Sequence, residues 1–415
     1  MLFSIRCNLR RLLALTLACW AIPGTAQQRL SADEAVALAL AQPHVRQEWA
    51  SVVEAARGDV LAAGAWSNPQ LELSRERGDG GAEAGDARET GVMLSQDFEL
   101  GGRRGLRVDA SELGVKAARL AADHELSRLR VDVLRTYAEV VAAERLKVAQ
   151  AGSAASLQDL AAVADKRQRA GDLSGYESRR IVQASLQARA HAAQADAEAH
   201  AARARLAALT GDAALTAQLD TGPLLPAIPL LGEEVRSTEL DALQGSREYA
   251  LAQARAERRM AVPLTLGIGT KRIREAGVSD SLMTFEVGVP LPVFDRNQAA
   301  RVRATAEAER ADAHYQRALL LTRSRRGAAA AEARLLSESV RTLFDSAVPE
   351  AARLTRIARA SFAEGELDLV GLLDAHDAEI DVIRQALAQQ SRALDALLEL
   401  QLLVPFSHST SDPTP

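Results

Sequence analysis

The chain has 415 residues, 47% of them hydrophobic and 25% charged, but only 3 Trp, 4 Tyr and 7 Phe. Such a low aromatic content argues against one large enzyme-like core and for long helices rich in Ala, Leu, Arg, Glu and Gln, while the hydrophobic fraction excludes a structureless chain. A formal net charge of -5 argues against a nucleic-acid binder, which would carry a basic patch or stripe.

At the N-terminus, Arg6, Arg10 and Arg11 precede an apolar stretch from Leu12 to Ile22, and Gly24-Thr25-Ala26 supplies the small residues of a cleavage site. This is the pattern of a secretory signal peptide over residues 1–26, too short to cross a bilayer, which takes about 20 apolar residues. Lipidation of Cys19 is an alternative, although Thr16 stands where a lipobox has Leu. Cleavage after Ala26 removes both cysteines, Cys7 and Cys19, and with them any disulfide or thiolate metal site. No later stretch resembles a membrane helix, so any membrane contact must come from strands.

A helix is expected over Ala32–Ala65, after which Pro69 opens the alternating run Gln70-Leu71-Glu72-Leu73-Ser74. The next alternating stretch sets Val92, Leu94, Phe98 and Leu100 on one face and Met93, Ser95, Asp97 and Glu99 on the other. Such strands suit a half-buried sheet, or a tilted outer-membrane strand with its apolar face toward lipid and its polar face toward a lumen. Between them Gly78-Asp79-Gly80-Gly81 reads as a hairpin connection, since no Lys-Ser/Thr and helix follow to make a phosphate cradle.

From about Gly105 to Arg169 the sequence predicts one proline-free helix, a rod of roughly 95 Å at the α-helical rise. It carries two apolar seams, Leu126, Leu129, Val133 and Val140 on one and Val131, Leu134, Val141 and Val148 on the other. A solvent-exposed coiled-coil hairpin needs only one seam; two imply a neighbour on each side, as in a stave of a barrel wall. Gly171 supplies a left-handed helix stop, and Ser174 with Glu177 a capping box for a returning helix over Gly175–Ala208. Pro223, Pro226 and Pro229 then make Thr221 to Leu231 an extended connector.

The same order recurs 194 residues later: Pro263 answers Pro69, Val289-Pro290-Leu291-Pro292-Val293-Phe294 answers Ser95 to Leu100, and Gly365 answers Gly171. The second copy is expected to have a helix over Leu240–Met260, a strand in which Phe285, Val287, Val289, Leu291 and Val293 share a face, a rod over Ala299–Ala363 interrupted by Pro349, and a returning helix over Leu369–Leu403. The expected organisation is therefore a signal peptide over 1–26, a first repeat over 27–220, a Pro-rich linker over 221–231, a second repeat over 232–406 and a disordered tail over 407–415.

The strand-to-helix junctions carry the most specific pieces: Leu94-Ser95-Gln96 with Phe98-Glu99-Leu100-Gly101-Gly102-Arg103-Arg104, and Pro290-Leu291-Pro292-Val293-Phe294-Asp295-Arg296-Asn297-Gln298. With these, and from Leu30 to Leu403, the chain resembles the TolC-type outer-membrane factors, most of all the branch serving cobalt, zinc and cadmium efflux. Two departures are Ala299, where that branch usually has Gly, and a helix ahead of Pro263 shorter than its counterpart. The resemblance implies a mainly α, internally duplicated protomer whose four strands join a trimeric 12-strand transmembrane barrel, with the helices forming a periplasmic tunnel. It implies an outer-membrane and periplasmic location in a Gram-negative bacterium, a homotrimer, a periplasmic adaptor and an inner-membrane RND-type pump as partners, and a passive exit duct for heavy-metal cations or other small molecules. A periplasmic coiled-coil adaptor or scaffold is the alternative; it would show a single helical hairpin beside a globular β domain.

The family's periplasmic gate resembles Val370-Gly371-Leu372-Leu373-Asp374-Ala375. Asp374, Asp368, Glu366 and Glu364 are the gate candidates, with no basic residue between Ala360 and Ile383, so three copies would ring the narrow end with carboxylates that attract cations. Gly171, Leu173, Ser174, Gly365 and Leu367 are the candidate adaptor-docking tips. The bland alternative for the acids is a solvated helix start favoured by the helix dipole. His44, His124, His191, His200, His314, His376 and His408 include no pair at metal-ligand spacing, and His376 with Asp374 and Asp377 is the one cluster to name. No nucleophile elbow, phosphate loop or zinc-hydrolase signature is present, so neither an enzyme nor a cofactor is expected.

Overall fold

The computed structural model describes residues 29–78, 87–211, 218–220, 225, 235–275 and 278–403. The signal peptide with Cys19, the hairpin connection after Gly78, the tail and all of the Pro-rich linker but Leu225 lie outside the described residues.

Strand β1 (Arg29–Leu30) leads into α1 (Ala32–Leu40), which starts on a complete capping box between Ser31 and Glu34. The single helix expected to Ala65 is divided here. Gln42 adopts an extended ψ of 130° and α2 (Pro43–Gly64) begins afresh, because Pro43 has no N–H to continue α1 and disfavours helical backbone in the residue before it. Strands β2 (Gln70–Gly78) and β3 (Ala87–Leu100) follow. Helix α3 (Arg103–Ala170) is one unbroken rod of 68 residues, and α4 (Gly175–Thr210) returns along it.

After β4 (Gln218–Leu219) come α5 (Thr238–Arg258), β5 (Val262–Glu275) and β6 (Val278–Gly288). The second rod is α6 (Gln298–Thr342), a π turn (Leu343–Ala347) and α7 (Val348–Glu364). The π turn answers Pro349: the proline cannot donate, and Val348 N–H bonds back to Leu343 O, so the rod widens by one residue rather than breaking. Helix α8 (Leu369–Leu402) returns from the far end.

Strand β6 ends earlier than its sequence pattern suggested. Val289, Leu291 and Val293 continue the alternation but lie outside the sheet, since Pro290 and Pro292 interrupt the row of donors a ladder needs. Leu291 is 80% and Phe294 92% exposed. The seam residue Val148 is likewise exposed within the protomer, whereas Val131, Val133, Val140 and Val141 are buried.

The four long strands form one antiparallel sheet in the order β2-β3-β5-β6. The small parallel pair β1–β4 sits midway along the first rod, where the Tyr137 hydroxyl lies 2.8 Å from Leu30 O and 2.9 Å from Asp220 O. Around it Val133, Val140, Val141 and Leu206 make one core, and a second core at the rod ends gathers Leu157, Ile181, Phe362, Leu369 and Leu372. Burial along the rods is carried largely by alanine, which lets helices approach closely over a long, thin contact.

Candidate gate, junction and lumen

Both rods end in the same backbone device. Gly171 at φ 83° and Gly365 at φ 80° take the left-handed conformation, and the residue after each closes a longer bond, Asp172 N to Arg167 O at 2.9 Å and Glu366 N to Ser361 O at 2.8 Å. Nothing lies within 4 Å of a Cβ built on either glycine, so the constraint is purely conformational. Ser174 and Glu177 form the reciprocal capping box of α4, and Asp368 caps α8 by accepting the Gly371 N–H at 2.9 Å. Hydrogen bonds from the Ser174 hydroxyl and N–H hold the Glu177 carboxyl below its ordinary range, against burial and the nearby Asp368.

Arg167 ties the two ends together. Its guanidinium donates to Phe362 O at 3.4 Å and to Ala363 O at 2.9 Å, the last carbonyls of α7, where a cation also meets the negative end of the helix dipole. Of the candidate tip residues, Gly171, Ser174 and Gly365 are exposed, while Leu173 and Leu367 are half-buried and pack on the end core. The exposed apolar side chains beside them are Tyr176 and Val370.

Glu364, Glu366, Asp368 and Asp374 are all exposed on the second end. Asp374 lines a groove of about 570 Å³ with Asp377, Asp381, Gln150, Arg180 and Arg384. The acidic run read from the sequence therefore shares its groove with Arg180 of α4 and with Arg384 further along α8, which is bonded to Asp381 at 2.7 Å. His376 points the other way and is buried at 4% exposure. Burial, then Arg359, push its pKa below the ordinary value, against Glu379 and Asp377. Among the described residues no group of three His, Cys, Asp or Glu is placed to hold a metal ion.

At the opposite end of the rods the sheet meets the helices. Glu257, at the end of α5, accepts from the Arg103 guanidinium at the start of α3 and from Asn297 Nδ2 at 2.7 Å. Asn297 precedes α6 in a left-handed conformation, φ 62°. Arg103 and Glu257 are 154 positions apart in sequence, and no local signal joins them. Beside them Arg107 clasps Glu99 with both contacts under 3 Å, and Arg104 bonds Gly64 O and lies 4.6 Å above the Trp66 ring.

The sheet register sorts the strand residues onto two faces. Leu71, Leu94, Ile268 and Phe285 fall in one row across the four strands, and Leu73, Val92, Thr270 and Met283 in the next. On the reverse face, Glu72, Glu76, Glu89, Asp97, Asp280 and Glu286 stand with Lys271 as the single basic residue among the described ones, and Lys271 pairs with Glu89. In β5 the apolar-row residues are the more exposed and the reverse-face residues the less exposed, so the sheet curls with its polar side inward. No described helix is long and apolar enough to cross a membrane.

Two strand-to-rod units feeding one curled sheet, with paired helix turns some 68 residues away, are the protomer architecture that the TolC-type resemblance implies. The sequence model of the family described as "Outer membrane efflux protein" matches residues 35–212, which bears out the resemblance drawn from the junction motifs. Among known proteins, the chain is 28% identical to the cobalt-zinc-cadmium resistance protein CzcC of Cupriavidus metallidurans, over 85% of this chain and 84% of that one. It is 29% identical to the nickel and cobalt resistance protein CnrC of the same organism, over 66% and 67% of the two chains. The fold matches the crystal structure of CusC with a TM-score of 0.73 at 17% identity, over 89% of this chain and 90% of the other. It matches the outer-membrane channel OprN with a TM-score of 0.72 at 18% identity, over 89% of both.

Proposed function

We propose that the chain is one third of an outer-membrane exit duct that passes heavy-metal cations from a periplasmic adaptor and an inner-membrane RND-type pump to the exterior. The observation that carries the reading is the open sheet: among the described residues, β2 and β6 each pair on one side only. Edges in lipid leave backbone groups unsatisfied, and three copies of four strands close a barrel. The rods make the same demand, because α2 buries no residue in the protomer and exposes Val52 and Leu61, a face suited to a neighbouring stave. The adaptor alternative does not fit, since there are two strand-rod units and a membrane-length sheet rather than one hairpin beside a globular β domain.

The acidic inner face of the sheet and the acids at the second end favour cationic cargo, in keeping with the metals in the relatives' names. Asp374 is the gate residue of this reading; Glu364 and Glu366 add to its field, and Asp368 serves first as a helix cap. In a planar bilayer Asp374→Asn should lower the preference for cations, most visibly at low salt where screening is weak. The effect should be modest because Arg180 and Arg384 share the groove. Unchanged selectivity across salt concentrations would move the gate elsewhere, and a water-soluble monomer would end the duct reading.

A further inference from the structure

The two rows beyond the apolar ones change character abruptly. Arg75, Thr90, Arg272 and Ser281 make the next row, and Arg77, Arg88, Arg274 and Ser279 the last complete one. Five arginines and three hydroxyls therefore stand on the outward face, at the end of the sheet away from the rods. The height is set by strand geometry. From the Arg272 row to Leu100, opposite Val262, is ten residues, about 34 Å along the strand and about 26 Å of vertical rise at a tilt near 40°. That is the thickness of an outer-membrane apolar band, so the first arginine row lies at its outer rim and the second about 5 Å higher.

Neighbouring strands are about 4.8 Å apart, so Arg88 and Arg274 place two like charges directly opposite one another, an arrangement that is unfavourable without anions between them. The reverse-face acids cannot serve, because successive side chains point to opposite sides of the sheet. Arg77 is already engaged within the chain, which leaves Arg75, Arg88, Arg272 and Arg274 as the principal donors. Planar guanidinium forks suit phosphate bidentately, and the adjacent Thr90, Ser279 and Ser281 hydroxyls suit sugar.

We propose that this arginine belt binds the phosphorylated sugar headgroup of the outer-leaflet glycolipid, lipopolysaccharide, and so fixes the barrel's depth and seals its rim. The inference rests on the outer-membrane reading. It is tested by titrating delipidated, detergent-solubilised full-length protein with diphosphorylated lipid A, dephosphorylated lipid A and inorganic phosphate. Wild type should bind diphosphorylated lipid A at least about tenfold more tightly than the dephosphorylated form, as expected for losing one or more charge-assisted contacts. The variant Arg75→Gln/Arg88→Gln/Arg272→Gln/Arg274→Gln should lose a similar factor and carry several-fold less glycolipid when purified from outer membranes.

Equal affinity for the two lipid A forms, an unchanged quadruple variant, or full competition by inorganic phosphate would overturn the proposal. If the Gln variant does not assemble, Arg→Lys at the same four positions keeps the charge, and the lipid A comparison on wild type decides alone. Channel conductance separates this failure from that of the duct: a conducting wild type that ignores lipid A phosphates sinks only the belt.

Discussion

Glu257 is where a single substitution should loosen the seam between the sheet and the rods. Its carboxylate is the shared acceptor of Arg103 and Asn297, and the Arg103 and Glu257 side chains are only 18% and 24% exposed. Arg103 Nε is buried without a partner, so the guanidinium depends on this one carboxylate. Removing one member of a fully buried pair costs about 3–5 kcal/mol; discounted for the residual exposure, Glu257→Leu should cost about 2–3 kcal/mol. Glu257→Gln keeps an acceptor and should cost about 1 kcal/mol. Adding Arg103→Met to Glu257→Leu should recover most of the loss, because the stranded charge is then gone. The hydrogen bond from Arg103, then that from Asn297, hold the Glu257 carboxyl below its ordinary value of 4.5. A depressed carboxylate stabilises above its unfolded pKa, and that contribution fades as pH falls through the folded value. The gap between wild type and Glu257→Gln should therefore narrow in strong acid. In a Trp49→Phe background, urea unfolding followed by Trp66 fluorescence reads the seam directly, as that ring lies under Arg104 and 6.1 Å from Phe98. Equal midpoints for wild type and Glu257→Leu, or no recovery in the double variant, would refute the reasoning.

Gly365→Val should cost about 1–3 kcal/mol at the rod end through the left-handed φ alone, weakening pump-dependent metal tolerance while outer-membrane levels stay normal; unchanged tolerance at normal levels would count against a docking role. For His376 the folded pKa lies below the unfolded one, so its stabilising effect is present above about 6.5 and is lost as pH falls through the folded pKa. Unfolding midpoints between pH 7 and pH 5 should drop more steeply for wild type than for His376→Gln, and parallel slopes would show that the buried ring does not govern acid stability.

What the sequence revealed was local chemistry. Ser174 with Glu177, Gly171 and Gly365 act within a few residues of themselves, and the turns they predict are present. The period-two strands were legible for the same reason. Pro349 was visible, but a proline in a helix can kink, end or widen it, and the π turn was decided by surroundings no window contains. Pro43 divided a helix that apolar periodicity alone had run together. The partners Arg103 and Glu257, and Arg167 and the Phe362 carbonyl, meet only through tertiary packing. Arginines two apart, Arg75 with Arg77 and Arg272 with Arg274, were a readable signal that one face changes from apolar to basic; their alignment into rows required the register. Asp374 was expected in an acidic ring, and the cations in its groove come from α4 and from a position on α8 ten residues further along.

The N-terminal clasp at Tyr137 limits how the chain can be moored. Strand β1 is held at the waist of the first rod, and Tyr137 lies 34 residues from Arg103, about 50 Å from the sheet end of the rod. A tether from Cys19 to Arg29 is ten residues and stretches to at most about 36 Å. A lipid on Cys19 anchored at the sheet end would therefore fall short of a closed clasp at the waist, whereas cleavage after Ala26 would leave the clasp unloaded.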